Sequence, residues 1–210
     1  MEDKSRKINT RGAIILAGGD SKRLGSPKAL LKFQDCSLIE LIIKRLEGYF
    51  DQLTLVTDRA DLYNHLPVQI TGDIIKTDEK SPLRGIHAGL SSSPLPHQFV
   101  AACDMPFLNL DLISYMEKHA KGYDAVVPRI GKYFQPLHAY YSRTCIELIE
   151  HQVNKGQYKV TDFYNQLNIK YIGEDEIERF DPQQLSFINI NRWSDYEAAL
   201  KIFSDLHCEL

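Results

Sequence analysis

An unbroken apolar run, Ala13-Ile14-Ile15-Leu16-Ala17, stops at two glycines and gives way to a basic loop ending in Pro27-Lys28. A run of this length without polar alternation predicts a strand covered on both faces, as in the interior of a parallel sheet. The loop that follows is as constraining as the strand. Gly18 and Gly19 allow backbone N–H groups to approach an anion closely and to take angles closed to other residues. Lys22, Arg23 and Lys28 add cations that a plain turn does not need. A buried strand opening into a glycine-rich cationic loop is the arrangement that brings backbone dipoles and positive side chains against phosphate. The bland alternative is a strand-to-helix connection with surface lysines.

Beyond the loop, strand and helix patterns alternate. Ser37 and Glu40 form a capping-box pair ahead of Leu38, Leu41, Ile42 and Leu46, which keep helical spacing. Strands are predicted at 53–57, 68–70, 99–103 and 125–128. Helices are predicted at 81–90, rich in small residues, and at 110–120. The second half reads as a strand at 135–141, an amphipathic helix at 143–153, a short helix at 160–167 and a strand at 169–172. A solvated acidic loop at 173–178, a final strand at 187–191 and a closing helix at 194–203 complete it. This alternation predicts one α/β domain over 1–210, a Rossmann-like three-layer sandwich with a mainly parallel sheet, with 1–11 as a flexible N-terminus. Ligands in such sheets bind beyond the carboxyl ends of the strands. Loop 18–28, Asp58, Asp73, Asp104, Asn189 and Asn191 all fall at or just after predicted strand ends.

The composition narrows the function. With 210 residues, 43% hydrophobic and 25% charged, the chain is long enough for a substantial core. A net charge of −3 argues against nucleic acid as a partner, so any anion site must be local. Cys36, Cys103, Cys145 and Cys208 are far apart and read as reduced, mostly buried thiols. Residues 1–10 carry no apolar leader pattern, and no run is long enough to span a membrane. These features predict a cytoplasmic protein without a membrane partner.

Neither common phosphate motif is present: no Gly-Lys-Ser/Thr follows the loop glycines, and G-x-G-x-x-G is absent. Asp104 closes the strand in Ala102-Cys103-Asp104-Met105-Pro106. In a phosphate-rich cleft it suits Mg²⁺, a hard cation that takes oxygen ligands; equally, aspartate there can be a cap or turn residue. The seven histidines show no metal-ligand spacing, so His87 and His138 read as packing residues. Tyr133-Phe134 and Tyr140-Tyr141 read as sheet aromatics, and Trp193 as a packing residue. No Ser/His/Asp set or His–carboxylate pair stands out as a nucleophile and its base.

The pattern Leu16-Ala17-Gly18-Gly19-x-Ser21-x-Arg23-x-Gly25-x-x-Lys28 resembles the signature of nucleotidyltransferases that activate small molecules with an NTP. The Leu-Ala-Gly-Gly form is most similar to the MobA-type molybdenum cofactor guanylyltransferases. The resemblance runs from residue 12 to about 200 and implies a fold of nucleotidyltransferase type. It implies that Leu16, Ala17, Gly18, Gly19, Lys28, Asp58, Asp73 and Asp104 bind nucleotide and that Asp104, in its Cys-Asp-x-Pro context, holds Mg²⁺. Arg23, Lys28 and Asp104 would then be the catalytic residues. Ser81-Pro82-Leu83-Arg84-Gly85 resembles the family's Gly-Pro-Leu-Ala-Gly segment, with Arg84 adding a cation on the ligand side. Gln135 and Pro136 of a Gln-Pro-Leu segment, and the pair Asn189 and Asn191, fall on the acceptor side; Arg192-Trp193 replaces the usual Thr-Pro.

The activity implied is transfer of GMP from GTP to the phosphate of the molybdopterin cofactor, with release of pyrophosphate. The acceptor phosphate is already an anion, so no general base is required. Cofactor-donor and acceptor apoenzyme proteins would be its protein partners. Gly19 favours the guanylyl form over cytidylyl relatives, which more often read Ala-Ala-Gly. The rivals are a sister enzyme using CTP on molybdopterin, one using an NTP on a sugar or alditol phosphate, and a non-catalytic nucleotide-binding accessory protein.

Overall fold

The computed structural model describes residues 10–18, 27–33 and 35–208. The apolar run forms β1 (Gly12–Leu16), every residue of it buried. A 3-10 turn at Lys28–Leu30 leads to a small hairpin, β2 (Lys32–Phe33) and β3 (Cys36–Ser37). Helix α1 (Leu38–Leu46) opens with the predicted capping box: the Ser37 hydroxyl accepts from the Glu40 N–H, and the Ser37 N–H donates to the Glu40 carboxylate at 2.6 Å. There follow β4 (Gln52–Val56), β5 (Gln69–Thr71), α2 (Pro82–Ser91), β6 (His97–Ala102) and α3 (Leu110–Lys118). The second half holds β7 (Ala125–Ile130), β8 (Tyr133–Phe134), β9 (His138–Ser142), α4 (Cys145–Asn154), β10 (Ile169–Ile172), α5 (Glu174–Ile177) and α6 (Trp193–Cys208).

The main sheet runs β10-β7-β9-β6-β1-β4-β5, with β8 hairpinned onto β7. Strand β1 lies between β4 and β6, parallel to both, and β4 is parallel to β5. Only β9 breaks the sense of this path, pairing antiparallel with β6 and with β7, while β10 runs parallel to β7. One reversed strand leaves the carboxyl ends of its neighbours on one edge of the sheet and brings the start of β9 to that same edge.

Side-chain alternation along β1 divides the core between two layers. Ala13 and Ile15 pack with α1 and α3, while Ile14 and Leu16 pack with α2 and α4. Fully burying a side chain such as Ile14 or Ile15 contributes about 1.5–3 kcal/mol. The small residues of α2 permit close approach to the strand: a Cβ on Gly89 would stand 2.5 Å from the Ile14 side chain. The three-layer α/β sandwich with a mainly parallel sheet is therefore as the sequence predicts. No helix among the described residues is long and apolar enough to cross a membrane.

Several local expectations are corrected. Residues 187–191 form no strand: a 3-10 turn at Leu185–Phe187 is followed by an extended segment whose Ile190 N–H donates to the Asp104 carbonyl at 3.0 Å. The acidic stretch 173–178 is not a solvated loop but contains α5, because acids favour a helix's first turn and Ile177 buries itself in the core. Gln135, Pro136 and Leu137 form a turn ahead of β9 rather than part of a strand. Residues 1–9 lie outside the described residues, but Arg11 is fixed by Glu117 at 3.0 Å and, through its N–H, by Asp51 at 2.8 Å. Trp193 is 51% exposed at the start of α6, where its ring meets the edge of Tyr196.

Candidate active site

A cavity of about 980 Å³ opens along the carboxyl edge of β1, β4, β5 and β6. Leu16, Ala17 and Gly18 leave β1 into it, Asp58 follows β4, Asp73 follows β5, and Asp104 follows β6. Lys28, Asn189 and Asn191 complete one wall. Nine of the residues singled out in the sequence thus converge on one space. Gly19 and Arg23 lie outside the described residues. Gln135 does not line this cavity, and Pro136 lines a second one beside it.

At the centre of the wall, Lys28 Nζ donates to Asn191 Oδ1 at 2.6 Å and to Asp104 Oδ2 at 3.2 Å. This cation joins the end of the first loop to a strand end and to the entrance of α6. Asp104 Oδ1 is buried and has no hydrogen-bond partner among the described residues. An oxygen left so costs about 1–3 kcal/mol unless a ligand satisfies it. Among the described residues no cluster of three or more His, Cys, Asp or Glu side chains is arranged to hold a metal. The orphaned carboxylate oxygen of Asp104 is a hard donor of the kind that Mg²⁺ accepts, an ion that completes its shell with water and phosphate.

Asn191 is held from its other side. Asp195 accepts from the Asn191 and Arg192 N–H groups, both at 2.9 Å, and these bonds hold its carboxyl below the usual carboxylate range. Asn189 Nδ2 donates to the Phe187 carbonyl at 3.0 Å. On the other wall, Ala17 is committed to the fold: its N–H donates to Val56 and its carbonyl accepts from the Thr57 hydroxyl at 3.2 Å.

Arg84 does not present its charge to a ligand. It is 5% exposed, and its guanidinium donates to the carbonyls of Ile75, Thr77 and Glu79 at 2.9–3.2 Å and pairs with Asp73 at 3.0 Å. It staples the loop after β5 and sets Asp73 at the cavity wall. Burial pushes the Asp73 carboxyl above the ordinary range, and the Arg84 charge opposes that shift.

Sequence reasoning missed Thr57, Tyr63 and Lys80, which also line the cavity. Thr57 read as the last residue of a strand, and Lys80 carried the weak signal of a cation directly before the Ser81-Pro82 helix start. Tyr63 is buried, which pushes its hydroxyl up to about 12. Cys103 also lines the cavity, but burial, with the Asp104 charge adding to it, pushes its thiol up to about 12, which disfavours the thiolate form. His87 pairs with Glu150 at 2.9 Å, and His138 is buried between Phe99 and Phe187, each ring 5.0 Å away.

Comparison with known proteins places this geometry in context. The family model described as the MobA-like NTP transferase domain matches residues 13–170. A probable molybdenum cofactor guanylyltransferase of Peptoclostridium acidaminophilum is 37% identical over 186 residues, covering 85% of this chain and 83% of its own. A molybdenum cofactor guanylyltransferase of Syntrophotalea carbinolica is 33% identical over 187 residues, covering 88% of each. The crystal structure of molybdopterin-guanine dinucleotide biosynthesis protein A from Archaeoglobus fulgidus superposes with a TM-score of 0.82 at 28% identity. That match covers 92% of this chain and 99% of the other.

Proposed function

The chain belongs to the MobA-like NTP transferase domain family, and from that premise we propose that it transfers GMP from GTP to the phosphate of the molybdopterin molybdenum cofactor, releasing pyrophosphate. The observation that carries this reading is the union of Lys28, Asp104 and Asn191 at one point of a cavity lined by the glycine-rich strand end. The names of the relatives supply the base and the acceptor.

The reaction asks for alignment and charge neutralisation more than for covalent help. A phosphate oxygen of the acceptor attacks the α-phosphorus, the bond to the β-phosphate oxygen breaks, and that electron pair leaves on pyrophosphate. Lys28, from the described wall, and Arg23, from the sequence pattern, offset the negative charge that grows on the leaving group. Asp104 would hold Mg²⁺, and its unpartnered Oδ1 fits that duty. The ion, when bound, neutralises phosphate charge and makes the α-phosphorus more electrophilic. Gly18 and Asp58 line the nucleotide's place, Asp73 is presented by Arg84, and Asn189 and Asn191 face the acceptor from the cavity wall; Gly19, Gln135 and Pro136 join them by the family resemblance alone. Lys28 and Asn191 hold each other in register without consuming a proton.

Calorimetric titration of GTP, CTP, ATP and UTP, each with and without Mg²⁺, tests the first half. GTP binding tightest and strengthened by Mg²⁺ supports the reading. A preference for CTP or UTP moves the substrate to a sister enzyme, and no binding of any NTP overturns the transferase reading. Incubation with molybdopterin and GTP, read out as pyrophosphate and the dinucleotide product, tests the second.

A further inference from the structure

Residues 190–196 hold both halves of the Lys28–Asp104 pair. The Ile190 N–H donates to the Asp104 carbonyl at 3.0 Å, and the Asn191 side-chain oxygen accepts from Lys28 Nζ at 2.6 Å. Tyr196, in the first turn of α6, reaches the chain just beyond Lys28. Its hydroxyl donates to the Lys32 carbonyl, and its ring meets Phe33 edge-on at 6.2 Å. Phe203, further along α6, meets the same Phe33 ring at 5.1 Å. Within this segment only Asn191 lines the cavity. The wall is thus set from outside, by the way the chain enters its last helix.

That entry is closed by Asp195. Helix α6 starts on Trp193, which leaves its own φ free where a proline at the first helical position would fix it. Asp195 supplies the constraint instead. Its Oδ2 accepts from the Asn191 and Arg192 N–H groups, both at 2.9 Å, while its own N–H returns to the Arg192 carbonyl at 3.1 Å. The carboxylate therefore fixes the backbone that carries the Asn191 side chain. Asp195 does not itself line the cavity. Without its oxygen the two N–H groups lose their acceptor and the Asn191 backbone is released to rotate. A shift of about 1 Å then takes the Asn191 oxygen out of hydrogen-bond range of Lys28.

We propose that Asp195 is a positioning residue of the transfer site: by fixing the Asn191 backbone it keeps the Asn191 oxygen on Lys28, and so holds that amine where phosphate charge is neutralised. The role is one of geometry, not of charge, because both N–H groups meet a single oxygen that an amide supplies as well. It rests on the nucleotide reading above and adds a residue outside the cavity to the apparatus that aims Lys28.

The test reads Lys28 directly and then its effect on transfer. Trace acetylation of the full-length protein with acetic anhydride, followed residue by residue by mass spectrometry, reports how firmly each lysine amine is held. The exposed Lys201 serves as reference. Asp195→Ala is expected to speed acetylation of Lys28 about three-fold relative to Lys201, since the lost hydrogen bond favoured the ammonium form. Asp195→Asn and Glu197→Gly are expected to leave it unchanged; the glycine weakens α6 at an exposed position without touching the Asn191 backbone. In the transfer assay Asp195→Ala is expected to lower kcat/KM about ten-fold in the otherwise wild-type protein. Beside Lys28→Ala the same change is expected to cost about two-fold or less, because its target is gone. Equal losses in the two backgrounds, or Lys28 labelling that does not respond or rises as much in Glu197→Gly, overturn the proposal and leave Asp195 a helix cap alone. An Asp195→Asn variant as impaired as Asp195→Ala overturns it too. Protein in which Lys28 labelling responds as expected, yet which binds no NTP, keeps Asp195 as the residue that places Lys28 and overturns the nucleotide reading instead.

Discussion

Lys28 Nζ lies 2.6 Å from the side-chain oxygen of Asn191, so a residue at the end of the first loop is clasped by one just ahead of the last helix. The same amine reaches Asp104. Replacing it therefore removes a cation from the cavity wall and unties two segments at the sheet edge. Lys28→Ala is expected to lower turnover by about ten-fold or more with the circular dichroism spectrum unchanged. Wild-type turnover in that variant removes Lys28 from the mechanism.

Asp104→Asn keeps the shape of the side chain and removes its charge. It is expected to abolish most of the gain in nucleotide affinity that Mg²⁺ provides while leaving affinity without the ion nearly as before. Titrations in the presence and absence of the ion measure this directly. An unaltered gain makes Asp104 a turn residue only.

Arg84→Ala leaves the Asp73 carboxylate and three loop carbonyls without their common partner. Loss of one side of a buried pair costs about 3–5 kcal/mol, and denaturant unfolding should show a fall in this range. Arg84→Lys retains a charge but cannot bridge three carbonyls with a planar fork, so it should fall between the two. Nucleotide affinity should drop in both, since Asp73 and Lys80 line the cavity on the loop that Arg84 holds.

His138 is fully buried, and neither ring nitrogen has a hydrogen-bond partner among the described residues. Burial lowers its pKa from 6.5 to about 3. Between those values the unfolded chain binds a proton that the native protein refuses. Stability contributed by the neutral ring is thus complete above about pH 6.5 and is lost as pH falls toward 3. The slope is at most about 1.4 kcal/mol per pH unit. His138→Leu should flatten the acid side of the stability curve between pH 6.5 and 4, as followed by urea midpoints. Identical slopes in the two proteins rule out His138 as the source.

What could be read from the sequence was what local physics dictates. The run at β1, the Ser37–Glu40 box and the small-residue face of α2 are encoded by neighbours in the chain, and each has its expected form. The convergence of Asp58, Asp73 and Asp104 followed from a general rule about strand ends. Longer-range placements escaped. Phe187-Ile188-Asn189-Ile190-Asn191 alternates like a strand, but the alternation reflects a segment laid along the sheet edge, with Ile190 buried and the asparagines turned to the cavity wall. The acids of α5 were weighed as charge when their value lay in capping, Glu176 accepting from the Gly173 N–H at 3.0 Å. Arg84 shows the limit most plainly. A cation in a phosphate-binding segment reads as a ligand contact, and only the folded loop reveals three carbonyls waiting for it.

The central position of β1 sets an order on how the molecule comes into being. Its residues pair on one side with β4 and on the other with β6, Gly12 standing opposite both Gln52 and Gln98. Such distant parallel pairings are slow to close, because the intervening chain must be ordered before they form. During synthesis the most apolar strand of the protein emerges first and acquires its second partner only after β6 has left the ribosome. Lys28 meets Asp104 no earlier, and Asn191 later still. The cluster of Lys28, Asp104 and Asn191 is thus a late product of folding, and a nascent chain stopped before residue 104 carries Lys28 with nothing to pair it.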